Sequence, residues 1–508
     1  TDLLLSLIEA FTGNGLKAKD LAQSGIQLGI KMKAPFVEAC GWIRMGHAVQ
    51  IMNKYDSELT KKCYVTALEM MEQLQVARGK AEPLMGLCAL YGVNGDYERA
   101  MEVGRNALDE TEKVKDYWLS SLIILCMGIA CIYNDRFIEA LQYLEKAERE
   151  FQECKDIYGE MLCHFWKSYV FFQNKDLIQF QDEMHLFLKS VQFNQFEFFL
   201  LKRTTFGPRD LQMFIPLLLQ CEKENIERPY TLKLLQEMGL KSLESHPGYS
   251  IRIQSLGPFR IWLGEKEVGD RDWQREKAKE LFQLFMTNPE RFLAKEEITQ
   301  ILWPNQDKQS AERDFKVAMN ALNNVLEPSR KARSSPFFII REGSSYGVNP
   351  LASIELDTYQ FQEWIQSGLN EDNLDKTLPL LEKALSLYKG DYLSERRYED
   401  WCINKRERML VFFLRGAEKM AQIYVRKENY DSAIYWCEKI IEKDRTWEEA
   451  YRLLMYCFYR KNNRPQAIKW YEKCIGILEE ELGVSPLEPT RHMFEMIVES
   501  SKFREQTI

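Results

Sequence analysis

Three similar turn motifs recur at a fixed spacing of forty residues within the first 200 residues of the chain. They are Asn94-Gly95-Asp96-Tyr97, Asn134-Asp135-Arg136-Phe137 and Asn174-Lys175-Asp176-Leu177, and Asn53-Lys54-Tyr55-Asp56 is a less regular forerunner. An apolar helical stretch precedes each regular turn, and an amphipathic stretch with Ala100 or Ala140 follows the first two. Small residues let helices pack closely. The spacing therefore predicts stacked helical hairpins that bury their apolar faces against each other. The third copy has Phe180 and Gln181 at the small-residue position, so we expect it to depart from the pattern.

A second repeat array is predicted at about 370–500. Its turn motifs, Asn429-Tyr430-Asp431-Ser432-Ala433 and Asn463-Arg464-Pro465-Gln466-Ala467, are offset by 34 residues, which is the tetratricopeptide period. Both ends of the chain are therefore interpreted as tetratricopeptide-like α-solenoids. Such solenoids present concave surfaces to peptides or small ligands, although most of their apolar stripes are cores between helices. Repeats alone would indicate only an interaction scaffold.

Composition restricts the class of protein further. With 508 residues and 45% hydrophobic residues, the chain can bury real cores. Its 12 cysteines include no C-x-x-C pair and fall mostly on apolar helical positions, which favours a reducing, cytoplasmic compartment. The sequence has neither a membrane-spanning run nor a secretory signal. Since Thr1 lies within a predicted helix, we expect the natural protein to extend further upstream.

The hydrophobic period changes from helical to alternating at Ile251. Short strands are predicted between Ile251 and Leu263, followed by helices at about 274–287, 295–302 and 310–326. A hairpin of 337–341 and 346–348 then surrounds Gly343-Ser344-Ser345. Three short helices followed by a hairpin are typical of a winged helix, whose third helix lies in the major groove of DNA.

The fold class predicted is therefore mainly α, with tetratricopeptide-like solenoids and a central α+β winged-helix domain. We predict a repeat (sensor) domain at 1–200, a helical linker at 201–250, the winged helix at 251–350, and a second repeat domain at 351–508.

The predicted third helix carries the side chains that read bases. Arg and Lys can donate to guanine, and Asn can pair with adenine. The predicted base-contacting residues are Arg313, Lys316, Asn320, Asn323 and Asn324. Phosphate contacts set register and carry no sequence information. The candidates for them are Arg275, Lys277, Lys295, Arg330, Lys331, Arg333, Arg341, Ser344 and Ser345. The local charge supports this only weakly, because 251–350 has 16 Lys and Arg against 14 Asp and Glu in a chain of net charge −8.

Several motifs in the C-terminal half resemble a known family. Leu256-Gly257-Pro258-Phe259, Leu293-Ala294-Lys295-Glu296-Glu297-Ile298, Leu302-Trp303-Pro304, Phe315 to Leu326 and Gly343-Ser344-Ser345-Tyr346-Gly347-Val348 resemble the response-regulator-type winged helix of the Streptomyces antibiotic regulatory protein family. Downstream, the stretch from Ala384 to Leu393, the pair Trp401 and Arg406, and Glu481-Leu482-Gly483-Val484-Ser485-Pro486 with Thr490 resemble its bacterial transcriptional activator domain.

This resemblance implies a transcription regulator, and the repeats before residue 200 resemble the sensor array of large maltose-regulator-type activators. Those activators carry an ATPase module upstream. The sequence has no G-x-x-x-x-G-K-[ST] motif, so that module would precede Thr1 or be missing. The family usually ends its recognition helix with several arginines, whereas Ala321, Asn323 and Asn324 stand here. We therefore expect few phosphate contacts and a modest salt dependence of DNA binding.

No catalytic constellation is found. The five histidines lack ligand spacing to another His or to Cys, and neither a G-x-S-x-G nor a glycine-rich phosphate loop occurs. We expect a non-enzymatic activator without cofactor or metal, which binds double-stranded DNA and no membrane. RNA polymerase, a small-molecule or protein effector at the N-terminal repeats, and a second copy of the chain are further candidate partners. The alternative is a scaffold whose winged helix binds protein instead of DNA.

Overall fold

The computed structural model describes residues 1–52, 57–240, 243–331 and 334–505. The chain divides into two compact units, Thr1–Ser250 and Ile251–Ile508. The predicted forerunner turn, Asn53-Lys54-Tyr55-Asp56, lies outside the described residues. Among the residues described, none of the helices combines the length and apolar character needed to cross a bilayer.

The first unit is helical throughout its described elements. Its helices are α1 (Asp2–Phe11), α2 (Gly15–Lys31), α3 (Pro35–Met52), α4 (Glu58–Gln73), α5 (Ala77–Val93), α6 (Tyr97–Val114), α7 (Tyr117–Tyr133), α8 (Phe137–Cys154), α9 (Ile157–Gln173), α10 (Leu177–Asn194), α11 (Phe198–Leu201), α12 (Phe214–Lys223) and α13 (Arg228–Glu237). Consecutive helices from α5 to α10 pack as hairpins, as the forty-residue spacing predicts.

The recurring turns join the two helices of each hairpin. The second residue of each four-residue motif has a left-handed backbone conformation: Gly95 (φ 84°), Asp135 (φ 58°) and Lys175 (φ 60°). Asp96 and Asp176 then accept hydrogen bonds from the first turn of the next helix, which caps its free N–H groups.

The small residues after these turns lie where close packing requires them, because Ala100 and Ala140 are fully buried. In the third copy, α10 still forms. There the Phe180 ring is buried and packs 5.6 Å from the ring of Phe172. A larger side chain thus fills the space without ending the hairpin.

Residues 201–250, predicted as a linker, belong to the first unit and contribute to its core. Phe206, Phe214, Leu218 and Leu235 are buried in one hydrophobic cluster with the repeat helices. Asp210 also accepts hydrogen bonds of 2.7 Å from both the N–H and the hydroxyl of Ser250. The apolar content of this segment explains why it packs onto the repeats.

The second unit combines short strands with helices. Its elements are β1 (Ile251–Gln254), β2 (Arg260–Leu263), β3 (Lys266–Glu267), α14 (Glu276–Thr287), β4 (Leu293–Ala294), α15 (Lys295–Leu302), α16 (Lys308–Leu326), β5 (Ile339–Glu342), β6 (Ser345–Val348), β7 (Ile354–Leu356), α17 (Asp357–Asn370), α18 (Leu374–Leu387), α19 (Ile403–Arg426), α20 (Tyr430–Lys443), α21 (Glu448–Arg460), α22 (Arg464–Leu482) and α23 (Glu488–Glu505).

The strands form two small sheets. One has the order β3-β2-β1-β7, with β1 antiparallel to β2 and parallel to β7. The other has the order β4-β6-β5, in which β5 and β6 are the predicted hairpin around Gly343. Strands β3, β4 and β7 were not predicted from the sequence. Helices α14, α15 and α16 precede the β5–β6 hairpin along the chain, so residues 251–356 form a winged helix, which confirms the predicted fold class.

The helices after β7 form the second repeat array. Asn429 and Asn463 cap α20 and α22 through their side chains, and Ala433 and Ala467 are fully buried. The predicted turn motifs of this array are therefore confirmed. Gly483, in the left-handed conformation (φ 67°), ends α22.

Candidate nucleic-acid interface

Helix α16 is fixed at its start and along its inner side. The Asp307 carboxylate accepts hydrogen bonds of 3.0 Å from the N–H groups of Gln309 and Ser310, and the hydrogen bonds from Ser310 lower the pKa of Asp307. The inner row of the helix, predicted from its apolar spacing, is buried: Phe315, Met319, Leu322 and Leu326. The opposite, solvent-facing side of the helix, here called the outer row, is thereby held at a defined orientation.

Four of the five predicted base-contacting residues lie on that outer row. Arg313, Lys316, Asn320 and Asn324 are all exposed and follow each other at helical spacings of three or four residues. The nearest described carboxylate to the Arg313 guanidinium belongs to Asp314, at 3.6 Å, and more than a third of both side chains is exposed. An exposed pair of this kind is weak. The four side chains are therefore accessible to a ligand.

Asn323 is placed differently from its prediction. It follows Met319 by four positions and precedes Leu326 by three, so it lies on the row of buried residues. Only 8% of the residue is exposed, and its Oδ1 atom has no hydrogen-bond partner among the described residues. This burial argues against the predicted base contact by Asn323.

The predicted phosphate contacts at the starts of α14 and α15 also include both an exposed residue and residues paired within the protein. Arg275, the residue before α14, is exposed. Lys277 instead donates to the carbonyl oxygen of Leu302 at 2.8 Å and pairs with Glu280 at 2.7 Å. It thus ties α14 to the end of α15, which argues against a phosphate contact by Lys277. Lys295 pairs with Glu312 of α16 at 3.1 Å.

The basic loop after α16 is closed at its base by Glu327. The buried Glu327 carboxylate accepts hydrogen bonds from the N–H groups of Phe337 (2.7 Å) and Phe338 (3.1 Å), while burial raises its pKa. Within the loop, Arg330 donates to the carbonyl oxygen of Ser334 at 2.6 Å, and Lys331 is exposed. Arg333, also predicted, lies outside the described residues.

The wing hairpin presents its own polar groups. Arg341 and Ser344 are exposed, and Ser345 is half-buried. The Arg341 Nε atom donates to the carbonyl oxygen of Gly343 at 2.7 Å, which orders the side chain along the hairpin. The hairpin is joined to α16 by the Phe315 and Tyr346 rings, whose centroids are 5.0 Å apart.

Three further residues complete the outer row of α16. The helix begins at Lys308, earlier than predicted, so Lys308 and Gln309 lie exposed in its first turn. Asp307, a residue type that favours the N-cap, is the sequence signal for this earlier start. Val317 is also exposed, at 38%. Its position two residues after Phe315 places it off the buried row.

The comparison with known families concerns the helices that follow the winged helix. The sequence of residues 356–498 matches the bacterial transcriptional activator domain. These residues are a bacterial transcriptional activator domain. The activator domain thus begins at the last residue of β7 and includes α17 to α22 and most of α23.

A curated relative and two solved structures are also similar to the chain. Regulatory protein AfsR of Streptomyces coelicolor is 21% identical over 265 residues, which cover 52% of this chain and 25% of the relative. The chain therefore spans about a quarter of that relative's length. Mycobacterium tuberculosis EmbR in complex with a low-affinity phosphopeptide is 16% identical at a TM-score of 0.43, over 50% of this chain and 66% of EmbR. Rap protein complexed with competence and sporulation factor is 12% identical at a TM-score of 0.36, over 48% of this chain and 71% of Rap. With both TM-scores below 0.5, neither structural similarity bears on function.

The activator domain is hydrogen-bonded to the winged helix at several points. The buried Asp357 carboxylate accepts from the N–H and hydroxyl of Ser255 and from the N–H of Leu256. Arg396 donates to the side-chain oxygen of Gln283 at 2.8 Å. Lys405 donates to the last carbonyl groups of α14. The bonds of Arg396 and Lys405 hold α14 against the activator domain, and those of Asp357 hold the end of β1.

Arg406, quoted above for the family resemblance, has a structural role in the activator domain. Its guanidinium donates to the carbonyl oxygens of Tyr392 (3.0 Å), Arg396 (2.7 Å) and Arg397 (2.9 Å). It therefore holds the segment that contacts α14.

Proposed function

We propose that residues 251–350 bind double-stranded DNA with α16 in the major groove, and that the chain is a sequence-specific transcriptional activator. The observation that carries this proposal is the exposed row Arg313, Lys316, Asn320 and Asn324 on a helix whose opposite side is buried. These residue types match the hydrogen-bonding edges of guanine and adenine in the major groove. The activator domain directly downstream supports a role in transcription.

The phosphate contacts proposed are those with accessible groups beside this helix. Arg275, Lys331, Arg341 and Ser344 are exposed. Lys295, Arg330, Arg333 and Ser345 stay predictions of the sequence analysis. Few side chains are proposed to contact bases, and the Lys and Arg residues of 251–350 are interspersed with Asp and Glu. We therefore expect recognition of DNA to depend on hydrogen bonds more than on net charge.

The decisive experiment is selection of duplexes from a random double-stranded DNA library, followed by gel shifts with the selected duplex. We expect the unmodified chain to enrich one sequence, and the double variant Lys316→Ala, Asn320→Ala to lose selective binding. The matched control is Asn370→Ala, Lys376→Ala, which removes the same residue types from exposed positions of the activator domain. Failure to enrich any sequence at moderate salt would overturn DNA reading and favour the scaffold alternative.

We also propose that the N-terminal unit responds to an effector by releasing its own segment 203–209. Arg203 donates to the carbonyl oxygen of Met52 (3.2 Å) and Trp166 to that of Phe206 (2.9 Å). Arg209 donates through its N–H to the Tyr133 hydroxyl and through its guanidinium to Asn94, both at 3.1 Å. The segment therefore contacts α3, α7 and α9 and the residue that caps α5.

The space beside this segment is small. The cavity that it lines with residues of α3, α5 and α7 has a volume of about 40 Å³. Pockets for small ligands measure roughly 300–1,000 Å³. An effector bound among these helices would therefore have to displace the segment.

RNA polymerase and a second copy of the chain are the proposed partners of the activator domain. Co-purification with polymerase tests the first partner, and light scattering tests the second.

A further inference from the structure

We propose that Val317 determines specificity by contacting the 5-methyl group of a thymine in the recognised DNA. This inference rests on the proposed function, since it names one feature of the sequence that α16 would read. Val317 would make an apolar contact in the centre of the outer row of α16, whose other proposed base contacts are hydrogen bonds.

The first observation is the exposure of Val317 itself. It is 38% exposed, and among the described residues of 251–350 no other large apolar side chain is exposed. The remaining large apolar residues of α16 are buried. More than a third of this valine is left in contact with solvent, so packing of the winged helix does not by itself explain an apolar residue at this position.

The second observation is its position among the base readers. Val317 follows Arg313 by four residues and precedes Asn320 by three, so all three occupy adjacent positions on the helix surface. Asn324 lies one further turn along the same side. A major groove that admits Arg313 and Asn320 therefore also admits the valine between them.

The chemistry of the groove identifies the partner of this side chain. The thymine methyl is the apolar group that a base pair presents in the major groove, and apolar side chains contact it. Valine in a helix holds mainly one χ1 rotamer, so its two methyl groups are presented with little further loss of side-chain entropy. A polar base edge at this point would instead lose hydrogen bonds to water without replacement. The recognised sequence should therefore contain a thymine next to the bases read by Arg313 and Asn320.

The test uses the duplex selected by the full chain, with each thymine replaced in turn by deoxyuridine. Uracil keeps the hydrogen-bonding pattern of thymine and lacks only the methyl group. We expect one replacement per recognition helix to weaken binding about fourfold, the effect of withdrawing about one buried carbon from contact. Val317→Ala should weaken binding of the thymine duplex by a similar factor and should be insensitive to uracil at that position.

Two controls separate this outcome from indirect effects. Alanine favours helix more than valine does, so Val317→Ala should keep the fold, which circular dichroism checks. Leu351→Ala removes another exposed aliphatic side chain, 45% exposed and outside α16, and should leave all affinities unchanged. A selected duplex with no uracil-sensitive thymine, or an equal uracil effect in Val317→Ala, would overturn the role of Val317 while DNA binding stands. Absence of any selected duplex would instead overturn the proposed function.

Discussion

The Nζ atom of Lys405 lies 3.0 Å from the carbonyl oxygen of Thr287, so an ammonium group of the activator domain caps the last turn of α14 in the winged helix. The same group donates to the carbonyl oxygen of Met286 at 3.3 Å. Lys405→Met keeps the apolar length of the side chain and leaves both acceptors without this donor. We expect the free energy of unfolding of the second unit to fall by about 1–3 kcal/mol, measured by urea denaturation. Lys376→Met, at an exposed position, should change it little.

Lys405 also predicts a dependence of stability on pH. Burial lowers the pKa of Lys405 to about 8 in the folded chain, whereas an unfolded lysine titrates near about 10.4. Between these values the unfolded chain holds more protons, so the free energy of unfolding gains a contribution that rises with pH in this window. The difference between the unmodified chain and Lys405→Met should therefore increase from about pH 8 to about pH 10. A difference that stays constant or shrinks in this range would contradict the assignment.

Asp357 joins the two parts of the second unit through three short hydrogen bonds. Its carboxylate accepts at 2.6 Å and 2.7 Å from the N–H groups of Ser255 and Leu256, and at 2.7 Å from the Ser255 hydroxyl. Asp357→Ala would leave two buried N–H groups without their acceptor, so we expect a loss of about 3 kcal/mol in the free energy of unfolding. Hydrogen exchange at Ser255 and Leu256 should accelerate. The exposed Asp372→Ala is the matched control, and equal effects of the two variants would argue against the assigned role.

Neighbouring asparagines at the end of α16 should behave oppositely. Asn324 is exposed on the outer row, whereas Asn323 is buried and its Oδ1 atom has no partner in the part of the chain that the structure describes. We expect Asn324→Ala to weaken binding of the selected duplex by about 1–3 kcal/mol and to relax preference at one base pair. Asn323→Ala should leave the selected sequence unchanged, as measured by repeated library selection. Equal changes of base preference in both variants would contradict the burial of Asn323.

The cations of the loop and the wing predict the salt dependence of DNA binding. Each neutralised phosphate contributes about −0.9 to the slope of log affinity against log salt. Since few exposed cations flank α16, we expect an overall slope shallower than about −8. Lys331→Ala and Arg341→Ala should each reduce the slope by about 0.9 and weaken all sequences equally. Fluorescence anisotropy across salt concentrations measures this, and a variant with an unaltered slope would remove that residue from the phosphate contacts.

Much of this fold was predictable because its signals are local. The buried row of Phe315, Met319 and Leu322 follows directly from helical period, and the turns at Asn94 and Asn134 follow from their residue types. The links between hairpins carry a further local signal. Lys115 and Lys155 are left-handed residues forty positions apart, and each is followed by an aspartate that caps the next helix.

The features that were not predicted depend on tertiary contacts. Strand β7 exists because Ile354–Leu356 pairs in parallel with β1, about a hundred residues earlier in the chain. The internal bond of Lys277 to Leu302 depends on where neighbouring helices pack. A polar residue type indicates a surface only on average, so helix spacing alone would have placed Asn323 with the buried row and Val317 with the exposed row.

The segment 203–209 gives a test of the N-terminal unit by itself. Asn94 accepts from the Arg209 guanidinium and is exposed, so Asn94→Ala removes a contact of the segment and leaves the core untouched. We expect amide exchange within 203–209 to accelerate several-fold, while the melting temperature of the unit changes by less than a few degrees. Asn174→Ala, which alters the equivalent turn position of the third hairpin, is the matched control and should leave exchange in 203–209 unchanged. If the segment were inseparable from the core, exchange would accelerate only together with a global loss of stability, and release by an effector would be ruled out.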